Sequence, residues 1–345
     1  MRDNGDTDRD TDGSRNERIA VLAHGGFPDG AKTAVGLVRY SDSEVVAVLD
    51  REKVGKTHLD VNVYGSTRDV LEDHGIDALY IGIAPIGGGF DETWRPDVRT
   101  ALENGVDVVS GLHYFLSEDD EFSRLADEND AEIEDVRKTE FEAVAEGVAG
   151  EVEAHVVLTV GTDCSTGKMT TAVELVEEAR ERGYDAEFAP TGQTGIMIEG
   201  DGHPIDRVVS DFAAGAVEET VVERGNSDFV FVEGQGSILH PAYSGVTASI
   251  LHGSMPDSLV LCHEAGRQRV KGYENFEIAD LGEVAETYEK VALTGTIDAV
   301  SLNTSGLGEE EAERAIEEAS ETAPASDVVR HGPGEILDVL EEETG

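Results

Sequence analysis

A chain of 345 residues is long enough for two domains of ordinary size, so we expect two. Its 39% hydrophobic residues, 39 glycines and 9 prolines are typical of a globular α/β protein, and no apolar run reaches the roughly 20 residues of a membrane span. Acidic residues outnumber basic ones 74 to 26, for a formal net charge of -48, which disfavours nucleic acids and anionic membranes as partners.

The acidic residues are spread along the whole chain rather than gathered in one block. Such a surface repels itself at low salt, so we interpret it as an adaptation to a very salty cytoplasm, in preference to a surface for one basic partner. Two cysteines are too few for a disulfide scaffold, and no signal peptide opens the sequence, so we expect a cytoplasmic protein. The expected partners are a small-molecule substrate and further copies of the chain in a homo-oligomer.

The first 17 residues contain almost nothing apolar and predict a disordered acidic tail. From residue 18, β-branched runs alternate with helical patterns, which predicts a Rossmann-like domain with a parallel sheet over residues 18–140. Its strands are expected at 19–23, 44–50, 78–83 and 107–110, and its helices at 31–40, 67–74 and 95–104. Residues 117–150 are strongly acidic and mostly helical in pattern, and 141–153 is predicted to connect the two domains.

A second alternating series predicts a P-loop NTPase-like, doubly wound α/β domain over residues 154–345. Its strands are expected at 155–160, 186–189, 228–232, 258–262 and 299–303, with a last short strand near Val328. Its helices are expected at 168–182, 211–224, 244–253, 309–322 and 334–342.

The strongest motif is HVVLTVGTDCSTGKMTTAVELV, which runs from an apolar strand through a glycine loop into a helix. In that setting, backbone N–H groups of the loop and the helix N-terminus bind an anion, and the lysine reaches the outer phosphates. The predicted cofactor-binding residues are Gly161, Thr162, Asp163, Cys164, Ser165, Thr166, Gly167, Lys168, Met169 and Thr170. A second glycine-lysine pair, Gly55-Lys56, has Asp50 at the position where a phosphate loop has its first glycine, and no helix is predicted directly after it. We therefore interpret this pair as part of a turn.

The loop departs from the common Walker A spacing in two ways. Five residues rather than four separate Gly161 from Gly167, and Met169 replaces the Ser or Thr whose hydroxyl holds magnesium. The longer loop resembles that of dethiobiotin synthetase. Thr170 and Thr171 point elsewhere because a helix turns about 100° per residue. The sequence therefore predicts phosphate binding and leaves magnesium-nucleotide chemistry open.

Other candidate residues follow the predicted strands of the second domain. Glu233 ends a buried strand before a glycine turn, where ligands of parallel sheets bind; a solvated turn is the alternative. His240 and His263 can move a proton near neutral pH, or serve only structure. Arg267 and Arg269 can hold a carboxylate. Gln193 lies in a glycine loop that permits ligand approach or is simply a flexible surface loop. Asn303 with the 330–333 turn resembles adenine-contacting loops, and ordinary turns at strand ends are the alternative.

Cys164 lies where a helix N-terminus lowers a thiol pKa, but we interpret it as a small loop residue without a covalent role. In the first domain, Asp50 lies where a ribose-binding acid would be, although the preceding loop lacks the third glycine of a dinucleotide site. The glycine run at 84–90 suits a ligand, a partner domain or a flexible connection.

Several segments of the chain resemble the two-domain DgcN-type family. In the second domain these are the phosphate loop, APTGQTGIMIEGDG, PIDRVVSDFAAGAVE, FVEGQGSILHPAYSGVTASILHGSMPD and SLNTSGL. The resemblance extends into the first domain through VGLVRYSDSEVVAVLDREKVGKT. That family combines a Rossmann-like half with a P-loop half, and its studied branch acts as D-glutamate N-acetyltransferase. The resemblance implies acetyl-CoA as cofactor and D-glutamate as acceptor.

In that reaction the loop would hold the phosphates of coenzyme A, and no metal site is predicted. Glu233 or His240 would deprotonate the amine, and Arg267 or Arg269, with Gln193 and His263, would bind the acidic amino acid. One alternative is an ATP- and magnesium-dependent ligase or kinase of the dethiobiotin synthetase type. Another is a nucleotide-binding regulatory protein without catalysis.

Overall fold

The computed structural model describes residues 17–85 and 87–344. The acidic tail predicted at the start of the chain lies, except for Glu17, outside the described residues. The strands are β1 Arg18–Leu22, β2 Glu44–Leu49, β3 Thr57–His58, β4 Val61–Tyr64, β5 Ala78–Ile81, β6 Asp107–Ser110, β7 Ile133–Asp135, β8 His155–Gly161, β9 Ala186–Ala189, β10 Phe229–Val232, β11 Ser258–Glu264, β12 Arg269–Val270, β13 Tyr273–Glu277, β14 Thr296–Asn303 and β15 Ala325–Ser326.

The helices are α1 Lys32–Tyr40, α2 Thr67–Asp73, α3 Arg95–Glu103, α4 Asp120–Asn129, α5 Lys168–Glu181, α6 Gln193–Glu199, α7 Ser210–Arg224, α8 Ser244–Ser254, α9 Leu281–Val291, α10 Glu309–Ala319 and α11 Gly334–Glu343. Short 3-10 turns occur at Glu92–Trp94, Leu116–Glu118, Ala149–Glu151 and Ile205–Arg207. Among the described residues, no helix combines the length and the apolar character that a membrane span needs.

The chain forms two compact units. Unit 1 contains residues 1–139 and 193–201, and unit 2 contains residues 140–192 and 202–345. Residues 193–201 thus group with unit 1, whereas the sequence analysis assigned all of 154–345 to the second domain. The reason is that α6, which the sequence analysis took for a loop, packs against α1.

Over its described residues, unit 1 has a seven-stranded sheet in the order β3-β4-β2-β1-β5-β6-β7. β1 lies between β2 and β5 and pairs parallel with both, as predicted for a Rossmann-like sheet. Only the short β3 is antiparallel to its neighbour β4 among these strands. The predicted helical character of residues 117–150 is wrong for β7, which pairs parallel with β6.

The described part of unit 2 has a six-stranded parallel sheet in the order β15-β14-β11-β8-β10-β9. β8 is central, and its residues after His155 are buried, as expected for a parallel strand covered by helices on both faces. The last strand lies at 325–326, slightly before the predicted position. This order places the ends of β10 and β11 on either side of the loop that follows β8.

The net charge of -48 makes stability depend on salt. Charges screen one another over about 10 Å at 0.1 M salt and about 3 Å at 1 M, so repulsion within the folded chain weakens as salt rises. We expect a melting temperature roughly 5–10 °C higher in 2 M KCl than in 0.1 M KCl. Sucrose at matched osmolality is the control for the osmotic effect of the salt. A melting temperature in 2 M KCl that equals or lies below that in 0.1 M KCl would contradict this expectation.

Candidate functional site

The loop between β8 and α5 has the shape predicted for a phosphate loop. α5 begins at Lys168, and Gly167 immediately before it has a left-handed backbone with φ of 111°. The Lys168 side chain folds back over the loop, where its Nζ donates to the Asp163 carbonyl at 2.7 Å. A Cβ at Gly161 would lie 2.7 Å from that Nζ, so a side chain at the end of β8 would displace the lysine from this position. The cation and the helix N-terminus therefore share one anion-binding loop.

Thr171, the second threonine after Met169, does not replace the missing hydroxyl. Thr171 is buried, and its Oγ1 lies 2.7 Å from the Ser301 hydroxyl in the core of the sheet. Met169 and Thr170 occupy the first turn of α5. The departure from the magnesium-binding pattern thus persists in the folded chain.

Asp163 connects this loop to a neighbouring segment of the chain. Its side chain is fully buried, and Oδ1 accepts from the Cys164 backbone N–H at 2.7 Å. Oδ2 accepts from the Lys271 backbone N–H at 2.8 Å and from Arg267 Nη1 at 3.1 Å. Arg267 also donates to the Cys164 carbonyl at 2.7 Å and pairs with Glu264. Asp163 therefore ties the phosphate loop to the segment after β11, a role that the sequence analysis missed.

These contacts correct the prediction that Arg267 holds a substrate carboxylate, because its guanidinium binds the loop instead. Arg269 lies on β12, where its half-exposed side chain pairs with Glu277 across the hairpin at 2.9 Å. His263 Nδ1 lies 2.9 Å from the Thr162 hydroxyl, so it also supports the loop. Of the three predicted substrate-binding residues in unit 2, Arg267 and His263 therefore support the phosphate loop.

Gln193 was predicted to contact substrate and instead is buried in unit 1. Its Oε1 accepts from Arg137 at 2.6 Å, and its Nε2 donates to the Thr33 hydroxyl at 3.3 Å. Only 7% of Gln193 is exposed. The reason is that residues 193–199 form helix α6 rather than an open glycine loop.

Glu233 follows β10, the strand beside β8. The side chain is buried, and Oε2 accepts from the backbone N–H groups of Thr191 at 3.3 Å and Gly192 at 3.0 Å. A Cβ on the next residue, Gly234, would lie 3.4 Å from Lys168 Cδ, so this turn adjoins the phosphate loop. Two amide donors therefore fix a carboxylate beside the loop, as the strand-end position predicted.

His240 is buried, and its ring orientation follows from the backbone. Its Nδ1 accepts from the N–H groups of Ala242 at 3.1 Å and Tyr243 at 3.2 Å, so the proton of the neutral ring is on Nε2. Nε2 lies 3.7 Å from Asp163 Oδ1 without a hydrogen-bond partner among the described residues. The only lone pair of the ring is already used, so His240 is a hydrogen-bond donor rather than the general base considered above.

Asp163, Cys164 and His240 bring three possible metal-ligating atoms within 4.8 Å of one another. A metal-bound imidazole donates a proton from its other nitrogen, whereas Nδ1 of His240 accepts two N–H groups. Arg267 pairs with the Asp163 carboxylate, and the Lys168 ammonium binds the backbone carbonyl of the same residue, so two positive charges already lie here. The arrangement opposes a cation and suits an anion.

One support of the site was not predicted. Tyr288 on α9 is buried, donates from its hydroxyl to the Gly161 carbonyl at 2.9 Å and accepts from the Ile238 N–H at 3.1 Å. Burial raises the pKa of Tyr288 to about 12 and that of Cys262 to about 11, so both stay protonated. Asn303 ends β14, where its Oδ1 accepts from the Ser305 N–H at 3.1 Å.

The remaining motifs also have defined positions. Arg330 donates to the Thr304 and Leu307 carbonyls, at 3.2 and 3.1 Å, so its guanidinium closes a turn. The Gly55-Lys56 pair lies in a turn followed by the two-residue β3, and no helix follows it, as predicted.

A family profile described as the P-loop domain of DUF1611, a domain of unknown function, matches residues 143–337. A second, described as the Rossmann-like domain DUF1611_N, matches residues 50–139. The chain belongs to the DUF1611 family. The predicted fold class, a Rossmann-like domain followed by a P-loop domain, is confirmed.

Known relatives match along most of the chain. A D-glutamate N-acetyltransferase of Tritonibacter scottomollicae is 36% identical over 332 residues, which is 93% of this chain and 97% of the relative. One of the same name from a Pseudoalteromonas species is 36% identical over 76% of this chain and 81% of its own. The crystal structure of a DUF1611 protein from Anabaena variabilis has a TM-score of 0.90 and 39% identity, covering 95% of this chain and all of that one. The resemblance to the DgcN-type family is thereby confirmed.

Three histidines of unit 2 make stability depend on pH. Burial lowers the pKa values of His155, His240 and His263 below the ordinary 6.5. Just below pH 6.5 the unfolded chain thus binds more protons than the folded one, and we expect the free energy of unfolding to fall between pH 7.5 and 5.5. Each histidine contributes at most about 1.4 kcal/mol per pH unit.

Urea denaturation at pH 7.5, 6.5 and 5.5 measures this slope. The variant His155→Gln removes one titrating ring and should flatten it. A midpoint that stays constant or rises as the pH falls would contradict the expectation.

Proposed function

We propose that this protein transfers an acetyl group from acetyl-CoA to the amino group of D-glutamate, with the loop from Gly161 to Lys168 holding phosphates of coenzyme A. The observation that carries the proposal is that loop: it keeps the cation and the helix N-terminus of a phosphate site but has Met169 in place of the magnesium-binding hydroxyl. Relatives that match most of the chain bear the name of this activity. We also propose that the protein is located in the cytoplasm and is adapted to high salt.

Coenzyme A suits such a loop because its 3'-phosphate and pyrophosphate bind to hydrogen-bond donors and positive charge. Acetyl transfer from coenzyme A requires no metal on these phosphates. Three features of the chain support this ligand: the backbone amides of the loop, the Lys168 ammonium and the N-terminus of α5. Acetyl-CoA supplies the activated acetyl group. The residues of the chain bind it, exclude water and move the proton of the acceptor amine.

Glu233 is the residue we assign to that proton. An amine attacks a thioester only after losing its proton, and a fixed carboxylate within hydrogen-bond distance accepts it. The backbone amides of Thr191 and Gly192 orient this carboxylate. The assignment requires the pantetheine arm to turn back toward the end of β10, since the phosphates and the thioester are at opposite ends of coenzyme A. His240, with its proton on Nε2, serves as a donor to an oxygen of the ligand.

Replacing Glu233 by glutamine is expected to lower kcat about 100-fold, because the amide keeps the shape of the side chain but accepts no proton. The matched variant His240→Asn retains an acceptor for the amides of residues 242 and 243 and loses the Nε2 donor, so its loss of kcat should be smaller. An equal or larger loss in His240→Asn would contradict the assignment of the base.

The reaction is tested by incubating the protein in molar KCl with acetyl-CoA and following free thiol. Release that depends on D-glutamate, and is weaker with L-glutamate, supports the transferase. A parallel incubation with Mg-ATP follows ADP, which would indicate the ligase or kinase. Thiol release independent of an amino-acid acceptor, or no release, would overturn the proposal.

A further inference from the structure

Unit 1 has a cavity of about 530 Å³ at the carboxyl ends of its central strands. His24 follows β1, Arg51 follows β2, and residues 83–85 follow β5 in lining it. β1 pairs with β2 on one side and β5 on the other, so the cavity lies where open α/β sheets bind ligands. Its volume is within the usual range of small-molecule sites.

A buried carboxylate holds two of the side chains that line this cavity. Asp97 is 3% exposed and accepts from the Thr67 N–H at 2.8 Å, from His24 Nε2 at 3.0 Å and from Arg51 Nη2 at 2.6 Å. Burial acts to raise the pKa of Asp97, but the hydrogen bonds from His24 and Thr67 outweigh it and the pKa is lowered. The ionised Asp97 therefore holds two basic side chains in fixed positions.

Arg51 is prepared to bind an anion. Its Nη2 also donates to the Thr93 carbonyl at 2.7 Å, so both hydrogens of this nitrogen are used and the guanidinium is held in place. Its Nε and Nη1 make no hydrogen bond to the described residues, and the side chain is 41% exposed. Because both paired edges of a guanidinium include Nη2, Arg51 offers a carboxylate a fixed positive charge and single hydrogen bonds from Nε or Nη1.

Acidic side chains line the same cavity. Glu52 and Asp91 are exposed at it, and Asp91 Oδ1 accepts from the Thr93 N–H at 2.8 Å. That hydrogen bond lowers the pKa of Asp91, so it is ionised at neutral pH. Two rim carboxylates above the buried Asp97 repel a phosphate dianion and attract an ammonium group.

The cavity does not fit the dinucleotide that Asp50 suggested in the sequence. Asp50 is fully buried, and its Oδ1 accepts from the N–H groups of Gly25 and Glu52, each at 3.0 Å. It shapes the turn after β1 and is closed to a ribose. Trp94 and Ile83 add apolar surface to the lining.

We infer that this cavity binds a free amino acid, with its carboxylate on Arg51 and its ammonium group facing Asp91 and Glu52. One fixed cation and two acids in a small cavity match a zwitterion and mismatch a ligand of single charge. The site belongs to unit 1 alone and goes beyond the proposed acetyl transfer, whose phosphate loop is in unit 2.

Trp94 is the single tryptophan of the chain and lines the cavity, so its fluorescence reports on occupancy. The full-length protein is titrated with D-glutamate and L-glutamate, and with glutarate, butylamine, inorganic phosphate and NAD⁺ as comparison probes. At least one glutamate enantiomer should give a saturable change. Glutarate lacks the ammonium group and butylamine lacks the carboxylate, so each should bind at least about tenfold more weakly.

Variants separate the two ends of the ligand. Arg51→Gln should weaken amino-acid binding at least about tenfold, whereas the surface variant Arg124→Gln should not. Asp91→Asn keeps the cap of the Thr93 N–H but removes a charge, so it should weaken binding of the amino acid and not of glutarate. Lys168→Ala should leave the Trp94 titration unchanged even if it abolishes thiol release, which distinguishes failure of this inference from failure of the proposed function.

Calorimetry on wild type and Arg51→Gln supplies a second measurement. The inference is overturned if neither fluorescence nor calorimetry shows an amino-acid site that Arg51→Gln weakens. It is also overturned if phosphate, NAD⁺ or glutarate binds as tightly as both glutamates.

Discussion

Replacing Lys168 by alanine is expected to lower kcat/KM for acetyl-CoA at least about 100-fold, mainly through a higher KM. The Lys168 side chain is buried over the loop, with Nζ 2.7 Å from the Asp163 carbonyl. An anchor for phosphates acts equally on bound substrate and transition state, so its removal raises KM more than it lowers kcat. Initial rates of thiol release over a range of acetyl-CoA concentrations separate the two constants.

Lys56→Ala is the matched control, because Lys56 belongs to the other glycine-lysine pair of the chain. It lies in a turn before β3, where no helix N-terminus adds to the binding of an anion. Its kinetics should equal those of the wild type. An unchanged KM in Lys168→Ala, with the fold intact by circular dichroism, would show that the loop does not hold coenzyme A.

The parallel sheets could be predicted because their strands are buried apolar runs separated by amphipathic helices. The hairpin β12–β13 could not, since every residue of β13 is exposed and its sequence, YENFE, has no alternation. Helix α9 did carry a signal that was overlooked: Leu281, Val284, Ala285 and Tyr288 recur at helical spacing. Helix α6 was taken for a loop because Gly192 before it and Gly195 within it outweighed the short apolar run that follows them.

The phosphate loop was predictable for a similar reason, since strand, loop and helix are contiguous in sequence. The partners of Asp163 are not: Arg267 and Lys271 lie 104 and 108 residues away. No local pattern distinguishes an arginine that braces a loop from one that binds substrate. The role of His240 likewise depends on which nitrogen faces the amides of residues 242 and 243, and only coordinates show that.

Asp163→Ala is expected to lower the free energy of unfolding by about 3–5 kcal/mol and to raise KM for acetyl-CoA. The fully buried carboxylate satisfies Arg267 and the N–H groups of Cys164 and Lys271. Alanine removes the acceptor of the Cys164 and Lys271 N–H groups and one of the partners of Arg267, and it detaches the phosphate loop from the segment after β11. Urea denaturation measures the first effect and thiol-release kinetics the second.

Glu218→Ala separates these two effects. Glu218 on α7 is also a buried acid of unit 2, but it accepts from the N–H groups of Glu146 and Val148, in the segment before β8. Its removal should destabilise the fold to a similar degree because two backbone donors again lose their acceptor. Measured where both variants remain folded, KM should rise in Asp163→Ala alone. If KM rose equally in both, Asp163 would support the stability of unit 2 and not the shape of its phosphate loop.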